Sequence, residues 1–512
     1  MRIARLGPGL AALALILAAV LRLYDLEHNP PGLYQDEAST GVDAYSIWNT
    51  GKDRAGERWP IIARSYGDYP FATYRYLTAP VVGLLGVTPG HERLMAGVLS
   101  FILVLALVFV LRRAFGPATA LGALLGAAIC PTWIHLARYG SEQILLPTTL
   151  MLAVAMFETG KQAGRRGWLW GGAIALGMSA FSYHAAKVLL PLWTLGYLVY
   201  FWPTLKALWP SEKRHVFGPL AIVMAFVIPS IMIAMTPEGN ARARDAAAFF
   251  KLPASELASN IASLYALSWS PDRLFFSGPG YVTLAPPGIG MWAWSDLPLI
   301  LLGLVAIARS LRGHPGRRLA VFFFYWFLIG PIPYALGYER DSITRLVGWF
   351  PAPQAIAGLG FGWLMVSTRL SRTRPYWVAG IVTVWLASSA WIVNRILVHY
   401  PKVAERQWQY EISGALKCGR EYALSQQERP QIIVSTSFTN GLTFAQFWYA
   451  DLPPLPDGRP AFVMAQRTEL NKGEIFVAPS SVEQLKTADM VCTIKWYGSD
   501  PPSLMSHVYA PK

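Results

Sequence analysis

At 512 residues the chain is long for one soluble domain, and 54% hydrophobic residues against 14% charged ones place it among membrane proteins. A mean hydropathy of +0.34 makes the bilayer its solvent for most of its length. The formal charge of +14 calls for no nucleic acid, because it comes largely from short basic connections and from Arg and Lys scattered on the opposite side.

The first apolar segment, Leu6 to Leu23, follows "MRIAR". No small-x-small cleavage site follows it and further apolar segments come later, so it is expected to remain as a first span rather than leave as a signal peptide. Stretches of the ~20 residues needed to cross a bilayer recur near 92–111, 117–134, 143–159, 168–182, 187–204, 216–235, 296–311, 319–337, 345–367 and 377–398. The expectation is a mainly α, polytopic helical bundle of about eleven transmembrane helices over residues 1–400.

Lys and Arg collect in every second connection: Arg2 and Arg5; Arg112 and Arg113; Lys161, Arg165 and Arg166; Lys206, Lys213 and Arg214; Arg309, Arg312, Arg317 and Arg318; Arg369, Arg372 and Arg374. This bias puts those connections and the N terminus in the cytoplasm. The long segments 25–91 and 236–295, and everything after about 399, then lie on the other side, where function is sought.

The loop after the first span reads "PPGLYQDEASTGVDAYSIWNTGKDRAGERWP". An extended lead-in ends at Asp36 and Glu37, and a helix that Gly51 is placed to cap follows. An ionised carboxylate at a helix N-terminus just above the bilayer is what a general base for a hydroxyl acceptor requires. The same pair also reads as a simple helix cap.

Further along, "HLARYGSE" spaces His135, Arg138 and Glu142 on nearly one helix face, either turned toward a pocket or snorkelling at the interface. "SYHAAK" gives Tyr183, His184 and Lys187, again pocket groups or interfacial anchors, and no His pair has metal-ligand spacing. "YERDSITRLVGWFPAP" sets Arg345 on the first turn of an apolar helix, against the positive-inside bias. An anionic phosphate, or a pair with Glu339 or Asp341, would compensate it. "YGDYPFATYRYLTAP", which includes Tyr74, and "GIGMWAWSDLP" are aromatic-rich; such residues form interface belts and also suit a sugar.

The tail, 401–512, reads as a small extracytoplasmic α/β domain. It has a helical "VAERQWQYEISGALKCGREYALSQQ", a strand at "QIIVSTS", a helix at "TNGLTFAQFWYA", and strands at "AFVMA", "EIFVAP" and "MVCTIKWYG". Cys418 and Cys492 either pair there or are two buried thiols.

These stretches resemble the GT-C superfamily of membrane glycosyltransferases, specifically family 39, which includes protein O-mannosyltransferases and lipid A aminoarabinose transferases. The resemblance rests on the loop from Pro30 with its acidic pair, then on "YPFATYRYLTAPVVGLLG", "ERLMAGVLSFILVLALVFVLRRAFG", "HLARYGSEQILLP", "SYHAAKVLLP" and "RLVGWFPAPQAIAGLG", over about residues 8–400. It implies inverting transfer of a sugar from a polyprenyl-phosphate-linked monosaccharide, on the external face of a bacterial inner membrane, to a glycolipid such as lipid A, a glycan or a protein hydroxyl.

By the same resemblance Asp36 is the general base and Glu37 its neighbouring acid. Arg345, Lys187 and Arg138 bind the donor phosphate, while Tyr74, His135, Glu142, Tyr183 and His184 belong to the substrate pocket. A phosphate leaving group requires no cofactor; relatives with pyrophosphate-linked donors use a divalent metal, and the chain has no clear ligand set for one. The tail departs from the β-trefoil repeats of eukaryotic protein mannosyltransferases and resembles the caps of bacterial members. A lipid-linked sugar flippase and a non-catalytic polysaccharide-assembly subunit are the rival readings; spans that keep their charges at their ends disfavour the first.

Overall fold

A computed structural model describes residues 2–280, 285–310, 313–340, 343–368, 370–467, 469–479, 488–495 and 504–511. Arg312, Asp341, Arg369 and the end of the last expected strand, 496–498, lie outside them.

The first part of the chain forms α1 (Arg2–Leu23), α2 (Gln35–Thr50), α3 (Thr73–Leu85), α4 (Pro89–Phe115), α5 (Pro117–Ile129), α6 (Pro131–Ala137), α7 (Leu145–Gly160), α8 (Gly167–Ser179), α9 (Ala186–Leu208) and α10 (Arg214–Ala234). A run of shorter helices follows: α11 (Pro237–Ala246), α12 (Ala248–Lys251), α13 (Ala254–Ser268) and α14 (Pro271–Phe275). The bundle closes with α15 (Asp296–Val305), α16 (Arg317–Ile329), α17 (Ile332–Ala335), α18 (Pro351–Val366) and α19 (Arg374–Val393).

All eleven expected apolar segments fall on helix. Among the described residues, however, six helices are long and apolar enough to cross a membrane, or seven if the bent pair α5 and α6 counts as one span. The remainder, such as α8 with 13 residues and α15 with 10, are shorter than the sequence pattern suggests. Apolar residues at their ends are spent in turns, as in the π-helical Ala306–Ser310 after α15. The chain is a multi-pass membrane protein.

Buried arginines repair the backbone where the bundle is interrupted. The α5–α6 break bends the chain by 60° at Pro131, which has no N–H to offer the Ala127 carbonyl four residues back. Arg22, fully buried, donates to the carbonyls of Ala127 at 2.7 Å and Ala128 at 3.0 Å instead. In an apolar medium an unmet carbonyl costs several kcal/mol, so Arg22 makes the kink tolerable.

The indoles of Trp326 on α16 and Trp349 donate crosswise, to the carbonyls of Gly348 and Phe327, both at 2.7 Å. This seats the 3-10 turn Ile343–Trp349, and Thr344 and Arg345 with it, at one end of the bundle.

After α20 (Tyr400–Ala404) and α21 (Tyr410–Ser425), the tail adds β1 (Gln431–Val434), α22 (Gly441–Tyr449), β2 (Phe462–Met464), β3 (Glu474–Pro479), β4 (Ala488–Lys495) and β5 (Leu504–Pro511). The sheet order is β2-β1-β3-β5-β4, with β1 parallel to β2 and β3 and β5 antiparallel to β3 and β4. A disulfide joins Cys418 on α21 to Cys492 on β4. The α/β unit has a small core of its own around Ile433, Phe476 and Tyr509 and shares a larger one with the bundle: Leu33, Val42 and Val82 beside and within α2 and α3 pack with Leu416, Phe444 and Phe447. At Gly41 an added Cβ would come 2.5 Å from the Phe447 ring, so α2 and α22 meet at a contact that only glycine permits.

Candidate active site

Successive spans run in opposite senses, so the connections after α1, α6, α8, α10 and α17 fall at one end of the bundle. There they enclose a cavity of about 530 Å³.

The two acidic residues of the first loop separate at the start of α2. Tyr34 is extended (φ −82, ψ 151), and its N–H donates to Glu37 Oε2 at 2.9 Å, so Glu37 is the residue that caps the helix. Glu37 is fully buried, and Arg93 of α4, equally buried, donates to both its oxygens at 2.8 Å. The remaining donors of Arg93 meet the carbonyls of Leu26, Pro30 and Gly32 at 2.8–2.9 Å, which fixes the loop leading to α2.

Asp36, one residue earlier, faces the cavity instead and accepts from the Tyr139 hydroxyl at 3.2 Å. Burial, with the nearby Glu142 adding repulsion, pushes the Asp36 carboxyl up to about 6, against the pull of the Tyr139 bond and of Arg242 and Arg75. Burial and the Asp36 charge hold the Tyr139 phenol well above its ordinary value, so it stays a donor.

Asp68, also on the cavity wall, stands 3.4 Å from His184 and 3.8 Å from Arg242. Burial raises the Asp68 carboxyl, but its contact with His184 and the Arg242 charge outweigh it and hold Asp68 below the usual range. Arg242 is raised: burial works against its charge, and Tyr183, Asp68 and Glu339 overcome that. Tyr183 donates to Thr344 Oγ1 at 2.9 Å. Behind Thr344, Arg345 lies 3.7 Å from Glu339, and both its terminal nitrogens are buried without a hydrogen-bond partner; burial lowers it.

The structure therefore brings Asp36, Glu142, Tyr183 and His184 to one cavity, with Arg345 just behind its wall. The other expected residues do different work. Glu37 is consumed by Arg93 and the helix cap. Arg138 is buried and donates to the carbonyls of Leu21, Asp25 and Asn29 at 2.8–3.1 Å, closing the open end of α1. Lys187 donates to the Gly239 carbonyl. Tyr74 is fully buried with its hydroxyl on the Glu92 carbonyl, and His135 packs edge-on to Tyr400 and Trp408; neither lines the cavity.

The cavity residues Tyr66, Asp68 and Arg75 lie in the aromatic-rich stretch and Tyr139 in "HLARYGSE", but none of them, nor Arg242, was distinguished from its neighbours. Arg242 was visible only as one of several charges in "EGNARARD", with nothing local to distinguish it from its neighbours. Among the described residues no group of three His, Cys, Asp or Glu is placed to hold a metal ion.

A helical membrane bundle with a polar cavity at one end and a small C-terminal α/β unit defines a GT-C type fold. ArnT from Cupriavidus metallidurans bound to undecaprenyl phosphate matches with a TM-score of 0.54 at 13% identity, over 98% of this chain and 97% of that one. Its apo form gives 0.54 and 13% over 99% and 98%. The Archaeoglobus fulgidus oligosaccharyltransferase tethered with an acceptor peptide reaches 0.45 at 12% identity, covering 86% of this chain and 63% of that one. No family profile matches the sequence, and neither does any curated protein. The likeness is one of fold.

Proposed function

We propose that the protein is an inverting glycosyltransferase of a bacterial inner membrane, using a polyprenyl-phosphate-linked monosaccharide as donor at the outer surface. The observation that carries this is the presence together, on the wall of one cavity at the bundle end, of the half-buried carboxylate of Asp36 and the guanidinium of Arg242. The undecaprenyl phosphate bound by ArnT, a protein of like fold, supports a lipid phosphate as the donor's carrier.

In this reading the acceptor hydroxyl attacks the anomeric carbon of the donor sugar while the Asp36 carboxylate takes its proton. The bond from that carbon to the phosphate oxygen breaks, and its electron pair leaves with the polyprenyl phosphate. Asp36 titrating near 6 is ionised at neutral pH yet basic enough to accept the proton. Tyr139 orients it. Arg242, steadied by Asp68, meets the phosphate and offsets the charge that grows there, with Arg345 adding positive potential from behind Thr344. Lys187 and Arg138, already engaged with carbonyls, have no part in the phosphate site.

The test is Asp36→Asn in reconstituted membranes with polyprenyl-phosphate donors. Transfer is expected to be abolished with protein level and thermal stability retained; full activity would remove Asp36 from the role of base.

A further inference from the structure

Arg75 stands in an unusual position. Its side chain is 1% exposed, it lines the cavity, and its Nε donates to the equally buried Asp43 at 2.9 Å while Nη2 reaches Ser39 at 3.4 Å. Nη1 is buried with no hydrogen-bond partner. A guanidinium already neutralised by a carboxylate and left with one unmet donor suits an oxygen of a bound molecule better than a second anion.

Ser39 lies one turn beyond Asp36 on the same helix, about 4.5 Å along its axis. The donor of Arg75 is thus within a sugar ring's breadth of the proposed base. It comes from α3, whereas Arg242 comes from α11 and Arg345 from the turn before α18; Asp68, of the α2–α3 connection, stands 3.8 Å from Arg242.

Tyr66 belongs to the same connection as Asp68. Ser65 and Asp68 exchange both backbone hydrogen bonds at 2.8 Å, closing a two-residue turn with Tyr66 at φ 49 and Gly67 at φ 87. The first position of such a turn favours Asn, Asp or Gly, and a bulky aromatic in the left-handed region is strained. The turn is tied to α2 by the Ser65–Ser39 hydroxyl contact at 3.0 Å, and the Tyr66 phenol meets Thr443 of the α/β unit. This strained tyrosine is thus held on both sides at the cavity wall, with the Arg54 guanidinium 5.7 Å from its ring centroid.

We infer that Arg75 and Tyr66 form the acceptor subsite and that the acceptor is a carbohydrate. Its ring lies against Tyr66, and an oxygen next to the attacking hydroxyl accepts from Arg75 Nη1. A Ser or Thr of a peptide has a backbone carbonyl near its hydroxyl but no ring to lay against Tyr66. This rests on the reading of the cavity given above and names the substrate class for it.

The test is saturation-transfer NMR on the full chain in nanodiscs, with methyl α- and β-glycosides of glucose, galactose and mannose and a blocked Gly-Thr-Gly peptide as probes. At least one glycoside is expected to show transfer to its ring protons, with none to the peptide. Arg75→Lys keeps a cation against Asp43 but loses the fork, and is expected to raise the glycoside Kd at least five-fold. Tyr66→Asn relieves the strained turn, so it is expected to keep or raise Tm while weakening the same glycoside at least five-fold. Equal response from the peptide, no response from any glycoside, or glycoside binding indifferent to both substitutions would overturn the inference. Asp36→Asn separates the two readings: it should bind the glycoside normally while failing to transfer, and transfer retained in Asp36→Asn would sink the reaction without touching the subsite.

Discussion

The Tyr139 hydroxyl donates to Asp36 Oδ2 at 3.2 Å, and the next residue, Gly140, donates its N–H to Glu37 Oε1 at 3.0 Å. Two neighbouring residues of the loop after α6 thus hold two neighbouring carboxylates of α2, one at the cavity wall and one in the protein interior. An added Cβ on Gly140 would lie 1.6 Å from the Glu92 carboxylate, so the loop reaches this position only with glycine there.

Replacing Tyr139 with Phe removes a hydrogen bond to the charged form of Asp36, which raises the Asp36 pKa further. The acidic limb of the pH–rate profile should move toward neutral, so that transfer at pH 6 falls more than transfer at pH 8. A profile that keeps its shape would detach Tyr139 from the base.

With Asp36 near 6, the rate should rise with pH and level off above about 7. Glu142→Gln removes a repelling charge and should shift that limb toward acid. The folded pKa lies above the ordinary 3.8, so the native state keeps a proton that the unfolded chain releases. This carboxyl therefore makes the protein less stable as pH rises from about 4 to 6, and thermal unfolding of wild type against Asp36→Asn measures that slope.

Arg242→Ala should weaken binding of polyprenyl phosphate by ~10–100-fold, the scale of ~1.5–3 kcal/mol for hydrogen bonds to a charged group. Direct titration of the lipid phosphate into reconstituted protein decides it. Arg345→Ala is expected to have the smaller effect, because Arg345 acts from behind the wall, and the reverse order would exchange their roles.

Glu37→Gln leaves Arg93 buried without its counter-charge. Breaking a buried pair costs ~3–5 kcal/mol, so this variant should lose both Tm and activity, whereas Asp36→Asn loses activity alone. Scanning calorimetry of the two variants separates the cap from the base.

The Cys418–Cys492 disulfide closes 74 residues of the tail. Its loss through Cys418→Ser with Cys492→Ser should destabilise the α/β unit by ~2–4 kcal/mol. Because that unit shares its core with α2, activity should decline at a lower temperature than in wild type, as read from transfer assays across a temperature series.

The sequence alone settled the membrane class, the helical positions of all eleven apolar segments and the small α/β tail. These properties are local: an apolar run in lipid must satisfy its backbone within itself, so helix follows from composition. Gly51 as the cap of α2 was equally legible, and the structure places it at φ 69 with its N–H on the Ile47 carbonyl. The fifth strand, β5, was missed: its pairing with β3 and β4 is made across the fold, and "LMSHVYAP" carries no clear alternation of its own.

What the sequence could not decide is which charged residue meets which. Asp36 and Glu37 are adjacent in the chain and equivalent as local text, yet successive residues on a helix point about 100° apart. Only the packed arrangement sends one to Tyr139 and the cavity and the other to Arg93. Arg138 read as a phosphate ligand or interfacial anchor and Arg242 as one charge among several in its loop, but Arg138 meets the open carbonyls of α1, and Arg242 is brought to Asp68 from a distant segment. Composition fixes what can be buried in a bilayer; the identity of each charge's partner belongs to contacts between residues from tens to more than a hundred positions apart, and tertiary structure alone supplies those.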